Sequence, residues 1–128
     1  MAARILRLGT ERIRGEGLRI GTVRRPPRGV PKEKFSSGNW YDVWLPELSP
    51  SEATVKFAQK AETEAQWKAF ERRYAKEMSA ASPSRILDML AALSKDSDFS
   101  VGCYCEDESR CHRSVLRRLL KERGAKIS

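Results

Sequence analysis

Apolar and polar residues alternate along Leu18-Arg-Ile-Gly-Thr-Val23, the period-two pattern of a strand. Arg4-Ile-Leu-Arg-Leu8 reads as an earlier strand, and Gly15-Glu-Gly17 as the turn between the two. Trp40-Tyr-Asp-Val-Trp-Leu45 is a short apolar segment, and Asp98-Phe-Ser-Val-Gly-Cys-Tyr-Cys105 predicts a late, buried strand. Between these the period changes to that of helices. Ser49-Pro-Ser-Glu52 has the form of a capping box with proline at the first helical position, opening a short helix to about Ala58. Thr63-Glu-Ala-Gln66 is a second capping box, and Trp67, Phe70, Tyr74 and Met78 follow it on one helical face. Ser82-Pro83 opens a third helix expected to bury Ile86, Leu87, Leu90 and Leu93. Ser109 is the expected cap of a last helix that stops at Gly124.

Strands at both ends with helices between them imply crossover connections and a mainly parallel sheet. A chain of 128 residues fits a single α/β domain spanning residues 1–128. Ligands of such sheets sit beyond the carboxyl ends of the strands. Two loops leave presumed carboxyl ends: Arg24-Arg-Pro-Pro-Arg-Gly-Val-Pro-Lys32, whose three prolines exclude regular structure, and Glu106–Ser109. If their strands are parallel neighbours, the two loops share a rim. Pro31 is placed to open a helical turn through Phe35.

Charge sharpens this picture. Of the formal +8, residues 1–34 carry +7 (ten Lys/Arg, three Glu), residues 35–108 carry −5 (eight against thirteen) and residues 109–128 carry +6 (seven against one). If the basic ends meet, they form one positive face suited to phosphates, nucleotides or nucleic acid. Solubility is the plainer account of such runs. No apolar run approaches a membrane span, so no membrane partner is expected. The N-terminus has no signal-peptide core, and three cysteines make a poor disulfide framework. A reduced, cytoplasmic protein without a cofactor is expected. The oligomeric state is not legible.

The chemistry concentrates at Cys103-Tyr-Cys-Glu-Asp-Glu-Ser-Arg-Cys-His-Arg113, which holds all three cysteines and the only histidine. With Cys111 taken as part of the last helix, His112 falls in the middle of its apolar stripe, and Arg113, about 200° around from Cys111, falls at its edge and toward the rim. His112 is then either an acid/base group or a core histidine bonded to a backbone carbonyl. Cys111 is either a thiol of lowered pKa or a small apolar filler. As neighbours on one helix the two point about 100° apart and are not expected to bond each other. Cys103 and Cys105 share one strand face, Cys103 in the core and Cys105 nearer the rim. Together Cys103, Cys105, Cys111 and His112 offer a Cys₃His zinc set, with a C-x-C-x₅-C-H spacing unlike the usual knuckles. Arg24, Arg25, Arg28 and Lys32 can clamp an anion or simply be solvated. Trp40 and Trp44 can cover a base or sugar or belong to the core.

Four segments resemble one family. Arg24-Arg-Pro-Pro-Arg-Gly-Val-Pro-Lys32 is similar to R-x-W-P-R-G-[VL]-x-K, and Trp44-Leu-Pro-Glu-Leu-Ser-Pro-Ser51 to W-x-x-x-L-[AS]-P-S. Trp67-Lys-Ala-Phe-Glu-Arg-Arg-Tyr-Ala-Lys-Glu77 is similar to W-x-x-F-x-x-R-Y-x-x-E, and Cys105-Glu-Asp-Glu-Ser-Arg-Cys-His-Arg-Ser114 to C-x-[ED]-(x)n-C-H-R-S. In this order, over about residues 18–122, they resemble domain of unknown function family 488, in its compact, YeaO-like branch. The resemblance implies a single-domain, three-layer α/β fold with a mainly parallel sheet flanked by helices, in a bacterial cytoplasm, and carries no assigned activity. It raises Arg24, Arg28, Lys32, Cys111, His112 and Arg113 as site residues. The chain departs from the pattern at Val23 and Pro26, where the family has Asp and Trp, and at Phe57-Ala-Gln-Lys60, where a histidine is often found. If the family's chemistry needs those groups, this chain binds without turnover.

The leading expectation is a module for a small anionic or phosphorylated ligand, between the Arg24–Lys32 loop and the Cys105–Arg113 turn. Arg24, Arg28, Lys32, Cys105, Glu106 and Arg113 bind in this reading, and His112 and Cys111 are the candidate catalytic groups. Nucleic-acid binding through the basic ends and zinc binding are the alternatives.

Overall fold

The computed structural model describes residues 1–128. Four strands, β1 (Ala3–Arg7), β2 (Leu18–Gly21), β3 (Val43–Trp44) and β4 (Phe99–Cys103), form one sheet in the order β1-β4-β2-β3. All pairs are parallel, and Ile5, Val101, Ile20 and Val43 share one row across it. Every residue of β4 is buried, as befits a strand paired on both sides and covered on both faces. Helices α1 (Glu52–Gln59), α2 (Glu64–Met78) and α3 (Ala81–Leu93) lie in the β3–β4 crossover, and α4 (His112–Glu122) follows β4. No helix is long and apolar enough to cross a membrane.

One sheet face, through Ala3, Ile20, Phe99 and Val101, packs on Trp67, Phe70, Tyr74 and Met78 of α2, Leu87 and Leu90 of α3, and Val115, Leu116, Leu119 and Leu120 of α4. The third layer is built of loops rather than helices. On it, Leu8, Val23 and Tyr41 cluster with Phe35 and Trp40. Gly21 makes room for it, since a Cβ there would stand 2.4 Å from the Tyr41 ring. Arg19 ties these loops together. Fully buried, it pairs with Glu16 at 3.0 Å and donates to the carbonyls of Asn39 and Glu11. Asp42 accepts from Arg12, from the Arg19 N–H and from Ser36. Burial would push its carboxyl up, but the Arg12, Arg19 and Ser36 hydrogen bonds and the Arg12 charge outweigh it and hold the pKa at about 2. The chain ends meet, with Ile127 bridged to Ala3 in parallel.

The Thr63–Gln66 capping box forms in full. Gly124 sits at φ +80°, and the Gly124 and Ala125 N–H groups return to Lys121 and Leu120, a Schellman stop. Three expected details are corrected. Ser51, not Ser49, caps α1, because the Ser49 hydroxyl is spent on the Pro46 carbonyl. Leu93 is 42% exposed, because the buried stripe of α3 runs Leu87, Leu90, Ala91, Ser94. Ser109 does not cap α4; Asp107 takes both its N–H and its hydroxyl into a separate 3₁₀ turn, Glu108–Arg110. Cys111, in extended conformation, stands at the cap position of α4 without a side-chain cap bond.

Candidate functional site

Because β2 and β4 are adjacent and parallel, their exit loops share a rim. The Tyr104 hydroxyl donates to the Arg25 carbonyl at 2.8 Å and fastens one loop to the other. Beside this contact opens a cleft of about 610 Å³ whose lining includes Arg7, Thr10, Arg25, Arg28, Trp40 and Tyr104. Trp40 and Tyr104 meet edge to face, 5.9 Å between centroids. Arg25 pairs with Glu52 and Arg7 approaches Glu106, both pairs well exposed to water. Arg28 is exposed and enters none of the ion pairs.

Of the residues singled out in the sequence, Arg25, Arg28 and Trp40 line this cleft, and none of the Cys105–Arg113 turn does. Arg24 turns away and clamps the Pro50 carbonyl with Nε and Nη2, at 3.2 and 3.0 Å, holding the loop to the segment that enters α1. Lys32 lines a separate hollow of about 220 Å³ with Tyr41 and Trp44. Glu106 faces Arg7 at 3.7 Å. Arg113 does not reach the rim as expected. It is buried, Nη2 donates to the Cys105 carbonyl at 2.6 Å, and Nε has no partner. Since α4 begins at His112, Arg113 lies in its first turn and folds under the β4–α4 connection. Arg7, Thr10 and Tyr104 were not found from sequence. Arg7 ends a strand whose carboxyl end meets the same rim, and that was the available signal.

A second constellation lies on the helical side. Cys105, Cys111 and His112 line a cavity of about 250 Å³ walled by Val55, Trp67 and Phe70. His112 Nε2 stands 2.7 Å from the Thr22 carbonyl oxygen, which can only accept, so Nε2 carries the proton and Nδ1 presents its lone pair in the neutral ring. Nδ1 faces the Cys111 sulfur at 3.8 Å. The expected separation of these neighbours is corrected here, because Cys111 is extended and lies outside the helix. Cys111 Sγ is also 2.8 Å from Cys103 Sγ, and the Cys105 N–H points at Cys103 Sγ at 3.4 Å. Cys103 and Cys111 are buried and Cys105 is exposed. Hydrogen bonding with the other two thiols, then burial, pushes the Cys103 thiol up. Bonds from Cys103 and Cys111, with the Arg113 charge, hold Cys105 down at about 3. The Cys103 bond, with help from His112, lowers Cys111 despite an opposing Cys105 bond and burial.

The remaining motif residues brace the site. Glu77 of α2 accepts from the Ser51 N–H, the Ser51 hydroxyl and the Thr54 hydroxyl, binding α2 to the start of α1. Tyr74 donates to the Leu48 carbonyl, and the Trp44 indole N–H to the Val23 carbonyl.

The family model described as "Active DUF488-N3 subclade" matches residues 3–124. No curated protein and no solved structure matches the chain.

Proposed function

The chain belongs to the DUF488 family, and from that premise we propose that it binds a small phosphorylated ligand, of nucleotide class, in the cleft between the Arg24–Lys32 loop and the Arg7–Thr10 segment that leaves β1, with Trp40 and Tyr104 in its lining. The observation that carries this reading is the convergence of Arg7, Arg25 and Arg28 around the aromatic pair Trp40 and Tyr104 in the 610 Å³ cleft. Guanidinium forks suit phosphate oxygens. An aromatic wall gives a base or sugar a stacking surface. The place agrees with the rule that open parallel sheets bind beyond their strand carboxyl ends. A cytoplasmic setting fits three unpaired cysteines. Calorimetric titration with AMP, pyrophosphate and ribose 5-phosphate tests the reading. It requires binding that is lost when Arg25 and Arg28 are both replaced, and silence with all three ligands refutes it.

Zinc is a second reading, favoured by the mutual approach of Cys103, Cys111 and His112, whose ligand atoms lie within 4.8 Å of one another. Cys105 would be the fourth ligand. The His112 bond to a backbone carbonyl also matches the way metal-bound histidines are held. Against it stands the 2.8 Å between Cys103 and Cys111 sulfurs. Two thiolates on a tetrahedral zinc keep about 3.8 Å, given Zn–S bonds of about 2.3 Å. Metal analysis of protein purified without chelators decides it: one equivalent supports zinc, and well under one removes it.

A further inference from the structure

The sulfurs of Cys103 and Cys111 approach to 2.8 Å at the junction of β4 and α4. That is nearer to the about 2.05 Å of an S–S bond than to the about 3.8 Å of two ligands on one zinc. Only seven residues separate the two cysteines along the chain, and the connection between them turns back so that both sulfurs face each other. Cys103 is the last residue of the buried strand β4, and Cys111, in extended conformation, immediately precedes the first residue of α4. Cys105 is different. It is exposed, yet it lines the same 250 Å³ cavity as Cys111, and its backbone N–H touches the Cys103 sulfur. One thiol therefore faces solvent and a contacting pair lies behind it. His112 completes the group, with its Nδ1 lone pair turned to the Cys111 sulfur by the Thr22 carbonyl.

We propose that Cys103, Cys105 and Cys111 form a thiol–disulfide exchange centre that takes small aliphatic disulfides as substrate. Cys105 gives its proton to water and attacks one sulfur of R–S–S–R through the open cavity. A Cys105–S–S–R bond forms, and the first R–S⁻ leaves and takes a proton from water. Cys111 passes its proton to His112 Nδ1 and attacks the Cys105 sulfur. The second R–S⁻ leaves and collects that proton. Cys103 then attacks Cys111, releases its own proton to water, and expels Cys105, which takes a proton back from water. In sum, one external disulfide is reduced to two thiols, and the Cys103 and Cys111 thiols are oxidised to one disulfide. The walls of Val55, Trp67 and Phe70 favour apolar substituents on the substrate. This centre does not depend on the arginine cleft, and either can fail without the other.

The test uses the reduced full chain with bis(2-hydroxyethyl) disulfide, followed by intact-mass measurement, thiol counting and peptide mapping. The expected product has lost two mass units and two of its three thiols, with Cys103 joined to Cys111. Cys105→Ser, at an exposed position, is expected to form the same bond at least tenfold more slowly. Cys103→Ser is expected to stop at a Cys105–Cys111 disulfide or a Cys105 adduct. Three free thiols after prolonged treatment overturn the proposal, as does a stable Cys105 adduct in the unmodified chain. One equivalent of zinc that shields all three thiols until a chelator is added also overturns it. Circular dichroism of each variant separates loss of exchange from loss of folding, and Cys105→Ala repeats the rate measurement if the serine variant is unstable.

Discussion

Replacing Arg28 with alanine isolates the electrostatics of the cleft. Arg28 lines it, is exposed, and enters no ion pair, so its removal leaves no protein charge unpartnered. Truncating Arg25 would free Glu52, and truncating Arg7 would free Glu106, and each freed carboxylate would itself repel an anion. For a phosphate about 5 Å from the guanidinium, at an effective dielectric of about 40 for a wet rim, the attraction per unit charge is about 1.7 kcal/mol. A charge-assisted hydrogen bond in this setting lies at the lower end of about 1.5–3 kcal/mol. Both routes give about a tenfold weakening of AMP or pyrophosphate binding for Arg28→Ala. Isothermal titration calorimetry at low and high salt measures it. Affinity of the unmodified chain is expected to fall with salt, since the Debye length shortens from about 10 Å at 0.1 M to about 3 Å at 1 M. The gap between the two proteins is expected to narrow in parallel. Equal affinities within a factor of about two at low salt would refute the reasoning, because one charge at the rim cannot then be acting on the ligand.

Other outcomes follow from the layers around the site. Arg19→Met leaves Glu16 buried without its partner and is expected to cost about 3–5 kcal/mol in urea unfolding, against less than about 1 kcal/mol for exposed Arg118→Met. Asp42 is held at about 2 in the folded chain, below the about 3.9 of an unfolded aspartate, so its contribution is fully present above about pH 4 and is lost as pH falls toward 2. Asp42→Asn is therefore expected to unfold more readily at pH 7, with the difference shrinking across that window in pH-dependent thermal melts. Glu77→Ala removes three hydrogen bonds at the start of α1 and is expected to cost about 2 kcal/mol, with faster amide exchange in α1. Gly21→Ala drives a Cβ into the Tyr41 ring and is expected to lower thermal stability more than Gly15→Ala, where the added carbon meets nothing and only the left-handed backbone at φ +83° is strained.

Periodicity revealed the elements where local signals agree. The strand read at Leu18–Val23, the Thr63–Gln66 box and the Gly124 stop all recur in the fold, although that strand is buried from Arg19 onward rather than alternately, with Leu18 exposed. Caps failed where polar residues compete: Asp107 captures Ser109, and Pro46 captures Ser49. Neither outcome is visible from spacing, because each depends on which nearby group offers the better geometry. The shared rim was legible from topology alone. Which arginines would face it was not. Arg24 and Arg113 satisfy backbone carbonyls of Pro50 and Cys105, contacts that exist only once the chain has folded. Arg7 escaped notice because it belongs to a different strand from the proline-rich loop it joins. Helical geometry sets Cys111 and His112 about 100° apart, but the backbone of Cys111 is extended, and that brings its thiol to the imidazole.

A crystal structure of the chain grown with AMP tests the central claim most directly. Phosphate density between Arg25 and Arg28, with the base against Trp40 or Tyr104, is the predicted result. An empty cleft at saturating AMP, or a nucleotide bound elsewhere on the molecule, would contradict it.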